Sequence, residues 1–355
     1  MTRLCHRILL FALASIALAP RLAAQGSTQP VAASDEPKPG RFSGYVFGDY
    51  YYFVQDHDPK FDDGQNGLWF RRVYLTYDRD LGTAWTTKLR LELNSPSLQE
   101  TQDRLRPYLK DVYLKWTGGA HSLLLGLSPT PTLELVEASW SFRHLEKTAL
   151  DLHRWAESRD TGLAAKGSFD KAKRFGYHAM VGTGTGTRNE VDKDKRFYLS
   201  LSARPAKRWV FEAYGDWEPH PDHADLATLQ VFGGFEAPRV KAGVQYAHQT
   251  RQQGSASADL ELDILSAWGS GKISEKTLWV VRVDRGFDPD PSGASIPYLP
   301  FDPTAKSTLV IAGLEHLPIP SVHLTPNVEI VAYDGSGGSK PKTDVVARLT
   351  LYWTF

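Results

Sequence analysis

The feature that most limits the fold is a period-two alternation that places charged and aromatic residues in the same short segments. In KRWVFEAYGDW (207–217), Trp209, Phe211, Ala213, Gly215 and Trp217 share one face, and Arg208, Glu212, Tyr214 and Asp216 share the other. In TAWTTKLRLELN (83–94), Trp85, Leu89, Leu91 and Leu93 oppose Lys88, Arg90, Glu92 and Asn94. LKDVYLKW (109–116) and HLTPNVEIVAY (323–333) repeat the pattern. Successive side chains of a strand point to opposite faces, so each segment predicts a sheet with one apolar and one polar face.

Sixteen such segments begin near 41, 67, 83, 106, 120, 158, 173, 195, 206, 225, 238, 257, 273, 304, 320 and 340. The short connections are LGTA, TGGA, FDKA, RPAK, EAPR, GSGK and LPIP. They alternate with longer loops near 55–66, 95–105, 129–157, 184–194, 218–224, 250–256, 287–303 and 334–340. Short turns at one end and long loops at the other predict an all-β fold, an up-and-down antiparallel transmembrane β-barrel of about sixteen strands.

Tryptophan assigns the faces. Eight of the ten (Trp69, Trp85, Trp116, Trp209, Trp217, Trp268, Trp279 and Trp353) fall near segment ends with the apolar parity. Membrane barrels carry aromatic girdles at both interfaces, so this face is expected to meet lipid, with Trp85, Trp116, Trp209, Trp217, Trp279 and Trp353 forming the girdle. Trp209 and Trp217 lie about 26 Å apart along one strand at ~3.3 Å per residue. A tilt of ~40° brings this to ~20 Å, near the apolar band of ~25 Å. The opposite face then lines the interior with Arg72, Lys88, Arg90, Glu92, Asp111, Lys115, Glu212, Asp216, Arg282, Asp284, Glu329 and Arg348. Those charges need water or one another, and a sixteen-stranded barrel has room for an aqueous channel; a lumen plugged by loops is the competing arrangement.

The start of the chain fits export. Arg3, His6 and Arg7 precede the apolar run 8–19, and Leu22-Ala23-Ala24 precedes Gln25, so 1–24 reads as a signal peptide. Residues 25–40 read as a flexible leader rich in Pro, Ser and Ala, and 41–355 as the barrel. The single cysteine, Cys5, lies in the signal, so the expected mature chain has no disulfide. Removing Arg3, Arg7 and Arg21 leaves 38 basic against 41 acidic residues, which argues against a nucleic-acid partner.

The longest loop, 128–157, is not a solvated tip. Leu133, Leu135, Val136, Trp140, Phe142, Leu145, Leu150, Leu152 and Trp155 require burial. It is expected to fold into the barrel and narrow it, bringing Arg143, His144, Lys147, His153 and Arg154 to face the basic strand residues; an external lid is the alternative.

FRRVYLTYDRDLGTAWTTKLRLELN (70–94), LKDVYLKW (109–116) and ESRDTGLAAKG (157–167) resemble the phosphate-selective porin family of the O and P type, over roughly 41–170. The resemblance implies a sixteen-stranded, trimeric outer-membrane channel that passes anions along an Arg and Lys ladder narrowed by its third loop. Here Glu92, Asp111, Glu212, Asp216 and Asp284 share the basic face, and a mixed field offsets attraction for anions. The expectation is a porin for small hydrophilic solutes with at most a mild anion preference. It needs no cofactor, and its partners are outer-membrane lipid, lipopolysaccharide and the insertion machinery of a Gram-negative envelope. The alternatives are a barrel enzyme, for which no spacing pairs a nucleophile with a base, and a closed structural barrel.

Other signals are weaker. Asp56, Asp58, Asp62 and Asp63 could hold Ca²⁺ but read more simply as a solvated acidic loop. His220 and His223 are too few for a zinc site, and GTGTGT (182–187) lacks the lysine of a phosphate loop. No metal site is expected. The terminal TDVVARLTLYWTF (343–355) places Val345, Ala347, Leu349, Leu351, Trp353 and Phe355 in one lipid-facing row, with Asp344, Arg348, Thr350 and Thr354 inward. This strand is expected to close the sheet on the first, and Phe355 to serve as the assembly signal.

Overall fold

The computed structural model describes residues 39–95, 104–254, 257–335 and 340–355. The expected signal peptide (1–24), and the leader (25–40) apart from its last two residues, lie outside the described residues.

Sixteen antiparallel strands form one closed barrel, each paired with its neighbours in sequence and the last with the first. They are β1 (Arg41–Gln55), β2 (Asn66–Asp80), β3 (Trp85–Asn94), β4 (Arg106–Gly118), β5 (His121–Pro129), β6 (Arg159–Ser168), β7 (Phe175–Gly182) and β8 (Arg196–Ala203). The second half comprises β9 (Trp209–Glu218), β10 (Leu226–Glu236), β11 (Val240–Arg251), β12 (Leu260–Lys272), β13 (Thr277–Gly286), β14 (Lys306–Ile319), β15 (Val322–Asp334) and β16 (Asp344–Thr354). Every observed start lies within four residues of its expected one. Two turns are displaced. GSGK (269–272) is the end of β12, and the chain reverses at 273–276; Leu317, Pro318 and Ile319 belong to β14, which turns at 320–321.

Closure is set by the β1–β16 register, from Tyr45 opposite Thr354 to Phe53 opposite Val346. Phe355 adds a reciprocal pair: its N–H donates to the Gly44 carbonyl at 3.0 Å, and the Gly44 N–H donates to its carbonyl at 2.9 Å. A closed sheet leaves no edge groups unpaired in lipid. Gly44 has no side chain because the Phe355 ring covers it; a Cβ there would sit 2.4 Å from Phe355 Cζ.

Of four register shifts among the described strands, two turn neighbouring charges inward together. In β2 the register slips between Phe47 and Gly48, so that Arg71 and Arg72 both turn inward. In β4 it slips between Arg90 and Leu91, and Lys110 joins Asp111 inside. One extra residue is what a bulge inserts.

The interior is not lined by polar groups alone. Leu262, Ile264, Leu309, Ile311, Val331 and Val346 point inward and are buried. They pack against two loops that enter the barrel, 130–158 and 287–305. Trp69 and Trp268 belong to this interior. Trp69 packs edge-on to Tyr298 of the second loop at 5.2 Å, and Trp268 stacks on Phe232. Their assignment to the outer face is thereby corrected, because a loop-filled lumen supplies apolar neighbours on the inside too.

Candidate functional site

The loop 130–158 builds the interior. Pro131 opens helix α1 (Pro131–Trp140), where a missing N–H does no harm, and Ser141 ends it in the left-handed region at φ 60°. A single turn, α2 (Ala149–Leu152), follows. The neck is tied where Thr130 Oγ1 donates to the Glu157 carbonyl at 2.7 Å. One side of the loop is apolar: Val136, Trp140, Phe142 and Leu145 pack on Phe232, Trp268 and Val280. Leu133, Ala149, Leu150 and Trp155 pack on Ala247, Leu262 and Ile264. This fixes the loop against the inner wall of β10 to β13.

Strand side chains hold the loop backbone from several directions. Arg71 donates to the carbonyls of Leu145, at 2.8 Å, and His144, while its Nε lies 2.7 Å from Asp49. Arg282 donates to the Lys147 carbonyl, pairs with Asp284 and stacks over Trp140 at 5.1 Å. Gln249 donates to the Trp155 carbonyl at 2.7 Å. Arg348 pairs with Glu329 at 2.7 Å and approaches Glu146 at 3.9 Å. Arg282 and Arg348 therefore point inward as expected, but are sealed beneath the loop.

The opposite side of the loop is charged and faces β2 to β6. Arg72 lies 3.3 Å from Glu92, which also takes Lys110 at 3.2 Å. Arg90 and Arg159 share Asp111 at 3.3 and 2.5 Å. From the loop, Arg143 reaches Glu137 and Asp151, both at 3.0 Å, and Lys147 reaches Asp151 at 3.6 Å. Burial would raise the Asp151 carboxyl, but Lys147, Arg143 and Arg72 outweigh it and hold the group below the usual carboxylate range. Part of this set keeps contact with solvent: the side chains of Arg90 and Arg143 are each 20% exposed, against 1% for Arg282 and Arg348, while Glu92 and Asp111 are buried. Six basic groups (Arg72, Arg90, Lys110, Arg143, Lys147, Arg159) meet four acids (Glu92, Asp111, Glu137, Asp151). Tyr74 and Tyr108 bring their hydroxyls to Glu92, and Tyr45 stacks on Tyr74 at 4.3 Å.

The remaining expected residues are placed as follows. Lys88 pairs with Asp78 at 3.0 Å near the short-turn end, and Lys115 lies opposite Thr86. His144 is buried beneath Tyr352, and Arg154 is exposed with φ 57°. Trp85, Trp116, Trp209, Trp217, Trp279 and Trp353 all carry the outward parity; Trp85 pairs directly with Trp116. Only Trp217 of these sits at the long-loop end, stacked on Phe197.

Arg71, Lys110 and Arg159 escaped the sequence reading. For the first two the signal was present: Arg71-Arg72 and Lys110-Asp111 are adjacent charges within lipid-spanning strands, which strict alternation would send half into lipid. Only a bulge avoids that. The inward course of 287–305 was also missed, since its DPDPSG start reads as turn chemistry, whereas Ile296, Tyr298, Leu299 and Phe301 are buried.

In architecture the chain is thus a sixteen-stranded barrel with a constricting third loop, the form of the outer-membrane porins. Solved structures bear this out. The anion-selective porin from Comamonas acidovorans superposes with a TM-score of 0.64 at 11% identity, over 90% of this chain and 100% of that one. In-vitro folded OmpT of Vibrio cholerae, in a trimer form, gives 0.61 at 13% identity over 90% and 100%. The outer membrane channel DcaP of Acinetobacter baumannii gives 0.60 at 12% over 89% and 97%. At such identities the likeness is one of fold. No family model and no curated protein sequence matches the chain.

Proposed function

We propose that this chain is an outer-membrane porin that admits small hydrophilic solutes by diffusion, with a mild preference for anions, inorganic phosphate among them. The observation that carries the reading is the charged seam between the loop 130–158 and the wall of β2 to β6. There Arg90 and Arg143 reach solvent and basic residues outnumber acids six to four. A narrow, low-dielectric passage with a small positive surplus raises local anion concentration without forming a tight site. In this reading Arg72, Lys88, Arg90, Glu92, Asp111 and Lys115 edge the path, with Arg143 and Lys147 across from them. Arg282 and Arg348 hold the constriction from behind. The outer face contacts lipid and lipopolysaccharide, Phe355 is read by the insertion machinery, and three copies associate, as in the trimer form of the Vibrio cholerae protein.

Purified protein in a planar bilayer should give discrete conductance steps, and a KCl gradient should give a reversal potential of the anion-selective sign. Strong cation selectivity would contradict the reading. A specific observation favours a second one, a barrel closed at rest: both loops pack apolar side chains across the interior. Liposome swelling separates the two, because a resting pore admits small sugars and a closed barrel does not.

A further inference from the structure

At the end of the barrel bearing the short turns, three side chains from three separate elements converge. They are His144 of the loop 130–158, Glu315 of β14 and His323 of β15. His144 Nε2 and His323 Nδ1 each lie 2.9 Å from the same atom, Glu315 Oε1. All three ligand atoms fall within 4.8 Å of one another. His144 and Glu315 are buried, and His323 is partly so. The buried His144 Nε2 has Glu315 Oε1 as its polar partner, the same atom that faces His323, so both rings are aimed at one carboxylate oxygen. Tyr352 fixes both imidazoles: His144 stacks on its face at 4.8 Å, and His323 meets it at 4.8 Å and 60°.

The geometry points to a binding site for a divalent transition-metal ion of the Zn²⁺ class, with His144, Glu315 and His323 as ligands. Two imidazoles and one carboxylate are a donor set for such ions. Tetrahedral zinc with bonds of ~2.0–2.1 Å separates its ligands by about 3.3 Å. The two His–Glu contacts need only open by a few tenths of an ångström to admit the ion. The fourth position faces a cavity of about 580 Å³ that the same three residues line with Arg143 and Tyr352, leaving room for water or an anion. Because His144 is carried by the loop and the other ligands by the wall, the ion would pin the constriction to the barrel.

Two other histidine clusters among the described residues are less suited to such an ion. His248 directs Nε2 to Glu261 and Nδ1 to Asp263, so its two nitrogens serve different partners. Asp56, His57 and Asp344 also converge within 4.8 Å, but they offer one imidazole with two carboxylates, and Asp344 is held by the His57 backbone N–H and the Tyr333 hydroxyl, donors that an ion cannot replace.

The test does not depend on the channel reading, since binding is read on full-length protein in detergent. Metal-free protein titrated calorimetrically with ZnCl₂ should bind one ion per chain. His323→Ala and Glu315→Gln should each weaken binding at least about tenfold, and His248→Ala should leave it unchanged. Unmodified protein with CoCl₂ should show the visible bands of a four- or five-coordinate N/O site, lost on adding Zn²⁺; this arm needs no variant to fold. Hydrogen exchange in 141–148 should slow with Zn²⁺ bound. Absence of saturable Zn²⁺ binding, Co²⁺ bands of a six-coordinate aquo ion only, or undiminished binding by a folded His323→Ala protein would each overturn the proposal.

Discussion

Arg71 shows how much one residue holds. Its guanidinium lies between the rings of Phe47 and Tyr298, pairs with Asp49, and donates to two loop carbonyls. Arg71→Ala leaves the buried Asp49 without its ion-pair partner, held by the Thr350 hydroxyl and the more distant charge of Arg348, and frees the loop at 144–145. The expected loss is about 3–5 kcal/mol, as for a buried pair deprived of one partner, seen as a lower thermal transition and earlier proteolysis near 144. Asp56 and His57, just beyond β1, give the pH dependence. Burial, then the neighbouring Asp344, pushes the Asp56 carboxyl up to about 7. Burial lowers the His57 pKa, but contact with Asp344 outweighs it and raises the value overall. In both cases the folded protein binds protons that the unfolded chain has released, so stability falls as pH rises. For Asp56 the fall runs from about 4 to about 7, and for His57 it runs upward from its ordinary value near 6.5. Asp56→Asn should flatten the acid part of this slope and raise the melting temperature at pH 8, measured by heat-modified electrophoretic mobility across pH. An unchanged slope would show that Asp56 does not titrate in this range.

At the scale of elements, the loop 130–158 and the strands divide the work. The barrel closes through β1 and β16 without help from the loop, so deleting 136–152 should leave a folded barrel with higher single-channel conductance. Unchanged conductance would remove the loop from the constriction. Trp140→Ala is the milder variant. The ring is buried, its Nε1 donates to the Glu146 carbonyl at 2.8 Å, and truncation should cost about 3–5 kcal/mol. Strands were legible in the sequence because period two survives wherever one face meets lipid and the other meets charge, as in β3, β9 and β16. The pattern fails where both faces are apolar. In β14, Leu309 and Ile311 face the buried loop 287–305 while Val310 and Ala312 face outward, so hydropathy alone cannot orient the strand. The same blindness hid Trp268. The metal-ligand cluster was out of reach for another reason: His144, Glu315 and His323 meet only through the loop's inward course and have no local spacing.

For the whole molecule, the distribution of charge matters more than its total. The chain carries equal numbers of basic and acidic residues, yet the seam does not. Its paired groups largely cancel at distance, and under the proposed function the surplus of two positive charges would act on ions passing the seam. An ion permeating between low-dielectric walls would sense that surplus, while charges at the rims are screened within roughly 8 Å at physiological ionic strength. Selectivity should therefore follow the seam and ignore the loops. Arg90→Gln with Lys147→Gln removes two positive charges, bringing the seam to neutrality. Each side chain keeps a polar head, and the acids left behind retain Arg159 on Asp111 and Arg143 on Asp151 as partners. The double variant should conduct with little change in step size, while its reversal potential in a KCl gradient moves toward that of a non-selective pore. Removing two basic residues from the exposed tips, Lys60 and Lys193, subtracts the same charge from the molecule and should leave the reversal potential in place. Equal shifts from the two double variants would mean that the field of the whole barrel, and not the seam, sorts the ions.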